Sequence, residues 1–252
     1  MTGPTARPSI SCLNFIVSAA RVANTLGRMR FLLALGSLFV LQATPAIGAV
    51  TLGQVEDFSA GVGGWSEGGP SPNPPAVIVG GGPDATDHLQ NISSGGGGAG
   101  SRLAMFNTSP LWTGDYTGIG GISLAARNSS AGTAINLRLA FDGPGGWWAT
   151  DAVVLAADNT WMTVTFDLAE TSLNYVSGGT GNYTDTFSGV TEFEIFSACG
   201  ALFVGGGGTG IVRGDGIDAT LGIDNITAVP EPSAMMIAAL SSLLLMGRRR
   251  RG

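Results

Sequence analysis

The chain has 252 residues, 41 of them Gly, with 44% apolar and 12% charged side chains. That much glycine excludes an architecture of long helices, and that much apolar content excludes disorder throughout. Between the two ends, residues 50–230 hold four arginines against seventeen carboxylates, a formal charge of −13 that excludes nucleic acid and anionic membrane surfaces as partners of the body of the chain.

The first element in chain order is a secretion signal. Arg28-Met29-Arg30 supplies a basic start, Phe31 to Leu41 an apolar run of eleven residues, and Ala46-Ile47-Gly48 a small-x-small site for signal peptidase. Residues 29–48 therefore read as a signal peptide, cut near Gly48 and Ala49 so that the mature chain starts at Ala49 or Val50. Residues 1–28 are not needed for this and read as an extended basic region or a start placed upstream of Met29.

From Val50 onward, apolar residues recur every second position between Gly, Asn and Pro clusters, and no stretch sustains helical spacing. Met162, Val164, Phe166 and Leu168 share one face of a strand; Thr163, Thr165 and Asp167 share the other. Ile135, Leu137, Leu139 and Phe141 alternate with Asn136, Arg138 and Ala140, and Phe193 and Ile195 with Glu192 and Glu194. Further strands are expected at Thr51 to Phe58, Ala76 to Val79, Arg102 to Phe106, Gly121 to Arg127, Trp148 to Leu155 and Leu221 to Thr227. The glycine runs at 80–82, 95–98 and 205–208 are expected as surface loops, none with the helix that a phosphate cradle needs. About nine strands without an internal repeat predict an all-β fold, a two-sheet jelly-roll sandwich over residues 50–228.

The opening E-D-F-x-x-G-x-x-G-W at Glu56 to Trp65 and the closing L-G-I-D-N-I at Leu221 to Ile226 resemble the galactose-binding-like and carbohydrate-binding-module sandwiches. In several of those families, acidic residues of neighbouring first and last strands hold a structural calcium. The resemblance implies the same role for Glu56, Asp57 and Asp224; the other reading of Asp224-Asn225 is a strand-end turn. Hard oxygen ligands in an acidic domain suit that cation.

Sugars stack their C–H faces on aromatic rings, which singles out Trp147 and Trp148 and, in L-W-T-G-D-Y, Trp112, Asp115 and Tyr116. Adjacent strand residues point to opposite faces, so one of Trp147 and Trp148 is expected in the core and the other exposed. Packing is the competing role for each of these rings. Catalytic constellations are hard to assemble. The one histidine, His88, reads as part of a D-A-T-D-H-L loop, and Asp142, Asp151, Asp167, Glu192 and Glu194 occupy positions that read as solvated. Cys199 would be the single thiol left after signal removal, so no internal disulfide forms; its neighbours predict a small buried side chain.

The chain closes on Val229-Pro230-Glu231-Pro232, fourteen mostly apolar residues (Ala234 to Gly247), and Arg248, Arg249, Arg250 and Arg251. Fourteen helical residues span about 21 Å, short of a ~30 Å hydrocarbon core. The arginines would stay cytoplasmic and leave the V-P-E-P face outside. Residues 229–252 resemble the PEP-CTERM sorting signal of Gram-negative bacteria. That resemblance implies transient residence in the inner membrane, cleavage near Pro230 to Pro232 by an exosortase, and delivery to the surface or extracellular matrix, where such proteins accompany exopolysaccharide and biofilm. The sequence thus predicts an exported, non-catalytic protein that binds polysaccharide around Trp147 and Trp148. The alternative is a structural envelope component with every tryptophan in its core; a glycoside-active enzyme is the third reading.

Overall fold

The computed structural model describes residues 48–202 and 212–231. The chain divides into two compact units, Met1–Ala43 and Thr44–Gly252, and every described residue belongs to the second. The expected signal peptide, apart from Gly48, lies outside the described residues, as do 1–28, the glycine run 205–208, Pro232, and the apolar run with its four arginines. Among the described residues no helix is long and apolar enough to cross a membrane.

In chain order the strands are β1 (Val55–Glu56), β2 (Trp65–Ser66), β3 (Ala76–Ile78), β4 (His88–Ser94) and β5 (Ala104–Asn107). There follow β6 (Gly121–Asn128), β7 (Ile135–Asp142), β8 (Trp147–Thr150), β9 (Val153–Leu155) and β10 (Trp161–Asp167). After β11 (Leu173–Ser177), one short helix, α1 (Tyr183–Phe187), precedes β12 (Glu192–Ser197) and β13 (Asp218–Val229). Asn182 starts α1 because its side chain accepts from the Thr184 and Asp185 amides.

All strand pairs are antiparallel and form two sheets, ordered β10-β6-β13-β4-β3 with β1 on β13, and β11-β8-β7-β12-β5-β2 with β9 on β7. This is the expected two-sheet jelly-roll sandwich, with thirteen strands described rather than about nine. Trp148 to Leu155 is two strands, and β2 and β11 are further short strands. His88 opens β4 instead of lying in a loop. The inward positions of β4 are Leu89, Asn91 and Ser93, too polar to declare an apolar alternation.

The core is aromatic. Phe141 and Phe193 stack at 4.9 Å, Trp65 and Trp112 meet Phe193 at 5.3 and 5.6 Å, and Tyr116 meets Phe141 at 5.4 Å. Ile135, Leu137, Leu139 and Phe141 fill it from β7, and Val164, Phe166 and Leu168 from or just beyond β10. Met162, expected beside them, is exposed because it stands near the start of β10, an edge strand with a neighbour on one side only. Cys199 is likewise exposed rather than buried; it follows β12, where the chain has already left the sheet.

Part of the outward face of the seven-stranded sheet is dry: Ala104, Ala140, Trp147, Ala149, Phe196 and Ala198 form a second apolar cluster on it, with Val212 packed against them. This cover decides the fate of several side chains that alternation alone assigns to solvent.

Candidate functional site

The carboxylates expected to hold calcium serve three separate roles. β1 pairs with β13, as expected, with Glu56 opposite Ile226. Glu56 then turns inward, where its Oε2 accepts from Trp65 Nε1 at 3.0 Å and from Trp112 Nε1. Burial raises its pKa and the two indole donors pull it back down. Gly63 allows this closeness: its φ is +60°, and a Cβ there would lie 1.4 Å from Glu56 Oε1. Asp57, the next residue, faces solvent and accepts from the Ser59 amide and hydroxyl. Asp224 accepts from Thr86 Oγ1 at 2.8 Å beside a bulge in β13, where Asn225 has φ 51°. Among the described residues no three His, Cys, Asp or Glu side chains gather as metal ligands would.

The candidate sugar-stacking rings are placed differently from expectation. Trp147 and Trp148 do point to opposite faces, yet both are buried, Trp148 in the inter-sheet core and Trp147 under the second apolar cluster. Trp112 and Tyr116 are also core residues; Tyr116 Oη donates to the Trp112 carbonyl. None of the four rings offers a free face. Asp115 is half-buried. Its side chain accepts from the Thr117 amide and its backbone binds the incoming chain at Gly48 and Val50. The expected signal-cleavage residues Gly48 and Ala49 thus lie where the chain joins the sandwich.

Glu192 and Glu194, expected in solvent, are half-buried and buried. Both stand on the covered outward face, Glu192 opposite Asp142 and Glu194 between Ala140 and Phe106. Glu194 is 0% exposed, and neither of its oxygens has a hydrogen-bond partner among the described residues. The Val212 amide faces it without closing a bond. Burial, reinforced by Glu192, pushes its pKa well above the usual carboxylate range. Burial and the charge of Asp142 push Glu192 up to about 7, and burial raises Asp142. A glycosidase pair must reach substrate; Glu194 is sealed from it.

His88, Arg127 and Trp161 clasp the glycine turn after β3. Arg127 stacks over the Trp161 ring at 4.7 Å, and Arg127 and Trp161 both donate to the Gly81 carbonyl. His88 Nδ1 lies 3.2 Å from the Gly80 carbonyl and Nε2 3.1 Å from Arg127, which requires the neutral ring with its proton on Nδ1.

An open cleft of about 280 Å³ lies beside the second apolar cluster, lined by Arg138, Asp151, Asn174, Tyr175 and the segment Gly200 to Leu202. Sequence reasoning singled out none of its aromatic or amide groups. Asn174 Nδ2 donates to Asp151 Oδ1 at 2.9 Å, and Arg138 is held by the Ala198 and Thr150 carbonyls. Tyr175 is 48% exposed, yet its ring is fixed: Oη donates to the Gly178 carbonyl at 2.7 Å and Trp148 packs against it at 5.5 Å. The register sends the Tyr175 ring to the Trp148 face of β11 and Asn174 to the other; neither was readable locally, because β11 (L-N-Y-V-S) is an edge strand with no apolar rhythm.

Residues 228–251 match the PEP-CTERM protein-sorting motif. Such a motif implies an exported, exosortase-processed protein. Its first residues, Ala228 and Val229, are the end of β13, and Pro230-Glu231 pass so close to Gly120 that a Cβ there would lie 2.1 Å from the Glu231 nitrogen. Among curated proteins nothing matches the chain. Among solved structures, the chain is similar to the family 11 carbohydrate-binding module of a cellulosomal cellulase of Clostridium thermocellum, at 14% identity and TM-score 0.46, covering 72% of this chain and 96% of that one. It is similar to CBM28, a module described as specific for non-crystalline cellulose, at 13% identity and TM-score 0.45, covering 73% and 97%. It is also similar to the CBM22-1 xylan-binding domain of Paenibacillus barcinonensis, at 11% identity and TM-score 0.43, covering 73% and 98%.

Proposed function

We propose that this is an exported, exosortase-processed protein of the cell surface or extracellular matrix whose sandwich binds polysaccharide without cleaving it, through the exposed ring of Tyr175 on edge strand β11. The observation that carries the reading is the exposed Tyr175 ring, held still by its bond to the Gly178 carbonyl and by Trp148. A ring already fixed in place loses little entropy when a sugar stacks on it. The sorting motif supports a destination where polysaccharide is met.

A second reading, a structural envelope component without a ligand, is favoured by one observation: Trp65, Trp112, Trp147 and Trp148 are all buried. Affinity electrophoresis of the full chain through gels containing neutral polysaccharides separates the two. Retention is expected, with Tyr175→Ala weakening it about tenfold, on the order of 1.4 kcal/mol, and Tyr175→Phe keeping most of it. Equal mobility with and without glycan hands the protein to the structural reading.

A further inference from the structure

The sorting motif begins inside the fold. Its first residues, Ala228 and Val229, are the last two of β13. Ala228 is fully buried; its carbonyl accepts from the Gly53 amide at 2.8 Å and its amide donates to the Gln54 carbonyl at 3.1 Å. On the other edge β6 runs alongside, with Ala228 opposite Ile122 and Val229 opposite Gly121. Where the strand stops, Gly120 takes over. Its amide donates to the Val229 carbonyl at 3.0 Å and its carbonyl accepts from the Leu168 amide at 3.0 Å, so it is fixed between the ends of β13 and β10. Pro230 and Glu231 cross directly over it. A Cβ at position 120 would lie 2.1 Å from the Glu231 nitrogen, 2.2 Å from Glu231 Cα and 2.6 Å from the Pro230 carbonyl carbon, a fit that only glycine allows. Burial, and then the charges of Glu170, Glu231 and Asp167, raise the Tyr183 pKa. Glu231 therefore lies over the same corner, where the Tyr183 hydroxyl donates to the Leu168 carbonyl at 2.7 Å.

A peptidase takes its substrate as an extended segment whose backbone and side chains are free to enter the cleft, and it reaches a folded segment only through transient local opening. Val229 to Glu231 are not free in this sense. The Val229 carbonyl is bonded to Gly120, and the backbone of Pro230 and Glu231 is pressed against that residue. Fold and peptidase therefore compete for the same stretch of chain. When opening and closing are fast relative to the cut, the rate follows the population of the open form. Pro230 sets where the opening starts: without an N–H it cannot continue the ladder of β13. Freeing Pro230 and Glu231 thus sacrifices their packing on Gly120, whereas Ala228 stays in its pairing with both neighbours.

We infer that the sandwich gates its own processing: Pro230 and Glu231 become available to the exosortase only when the chain lifts off Gly120, with Val229 as the hinge and the rest of β13 in place. The inference rests on the exosortase-processed reading proposed above and adds what limits that step. It does not involve the Tyr175 ring.

A time course of tail removal from the full chain, followed by intact mass in a Gram-negative host that carries an exosortase, tests it. Two variants lift the motif off Gly120 by different means. Inserting about six Gly and Ser residues between Val229 and Pro230 carries Pro230 and Glu231 clear of the sandwich and leaves β13 untouched. Gly120→Ala pushes them away without changing any spacing. Tail loss is expected about tenfold faster than in the parent in both, in chains that still melt cooperatively. Tail loss at the parent's rate in the insertion variant overturns the inference and leaves the sorting reading intact, whether or not Gly120→Ala folds. A gain in the insertion variant with none in a folded Gly120→Ala means that spacing and not the contact sets the rate, which also overturns it. A tail kept by the parent and both variants, in cells whose exosortase cuts another PEP-CTERM substrate, overturns the inference together with the sorting reading beneath it.

Discussion

Glu56 on β1 and Glu194 on β12 are both buried carboxylates, one in each sheet, and the two sheets answer the same cost differently. Glu56 reaches two indole donors, Trp65 and Trp112, that arrive from β2 of the other sheet and from a loop. Glu194 lies between Ala140 and Phe106, which have no side-chain donors to give, and burial pushes its pKa well above the usual carboxylate range. The first carboxylate is part of what holds the loop 57–64 on the core. The second is carried by the apolar cover and contributes little to holding it.

The largest expected effect follows directly. Glu56→Leu strands two buried indole N–H groups and should cost about 2–4 kcal/mol in urea denaturation, whereas Glu194→Leu in the same assay should be near neutral or stabilising. Equal losses in the two variants would end the distinction.

A smaller effect sharpens the contrast through pH. Glu192 titrates near 7 in the folded chain and near 4.5 when unfolded, so the native state holds the extra proton in that window. Its contribution is fully present below about pH 4.5 and is lost as pH rises through about 7. Glu192→Gln should therefore stabilise the chain at pH 8 by about 1–2 kcal/mol, after allowance for solvent screening of this half-buried group, and change nothing at pH 4. Thermal melts at the two values decide it; a gain of the same size at both would place the effect elsewhere.

His88 titrates in the opposite sense. Burial lowers its pKa, helped by Arg127 from β6 and opposed by the Gly80 carbonyl and by the charges of Asp224 on β13 and neighbouring Asp87. The stability from its neutral ring is present above pH 6.5 and drains away as pH falls. His88→Leu should cost about 1 kcal/mol at pH 7.5, and the difference from the parent should shrink below pH 6. A gap that stays constant down to pH 5 would mean that the ring acts by packing alone.

Part of this was legible locally. The alternation in β7 and β10 named the inner core residues correctly, from Ile135 to Phe141 and from Val164 to Leu168, because strand geometry sends every second side chain to the same face. The E-D-F…G-W opening marked residues that do come together: Glu56 and Trp65 meet in a buried hydrogen bond. β4 escaped notice because its inward residues include Asn91 and Ser93. The cleft escaped because its members come from β7, the residue after β8, β11 and the segment after β12.

Sequence alone determined the sorting motif at the C-terminal end, the all-β class and which residues share a face, since these depend on residue type and on a two-residue period intrinsic to the backbone. Tertiary structure decided which faces are wet. Trp147, Glu192 and Glu194 sit where alternation put them, on the face opposite Trp148, Phe193 and Ile195, but Val212, from the segment before β13, packs on that face and makes part of it a second apolar cluster. Burial depends on what distant segments cover, and no local period carries that information.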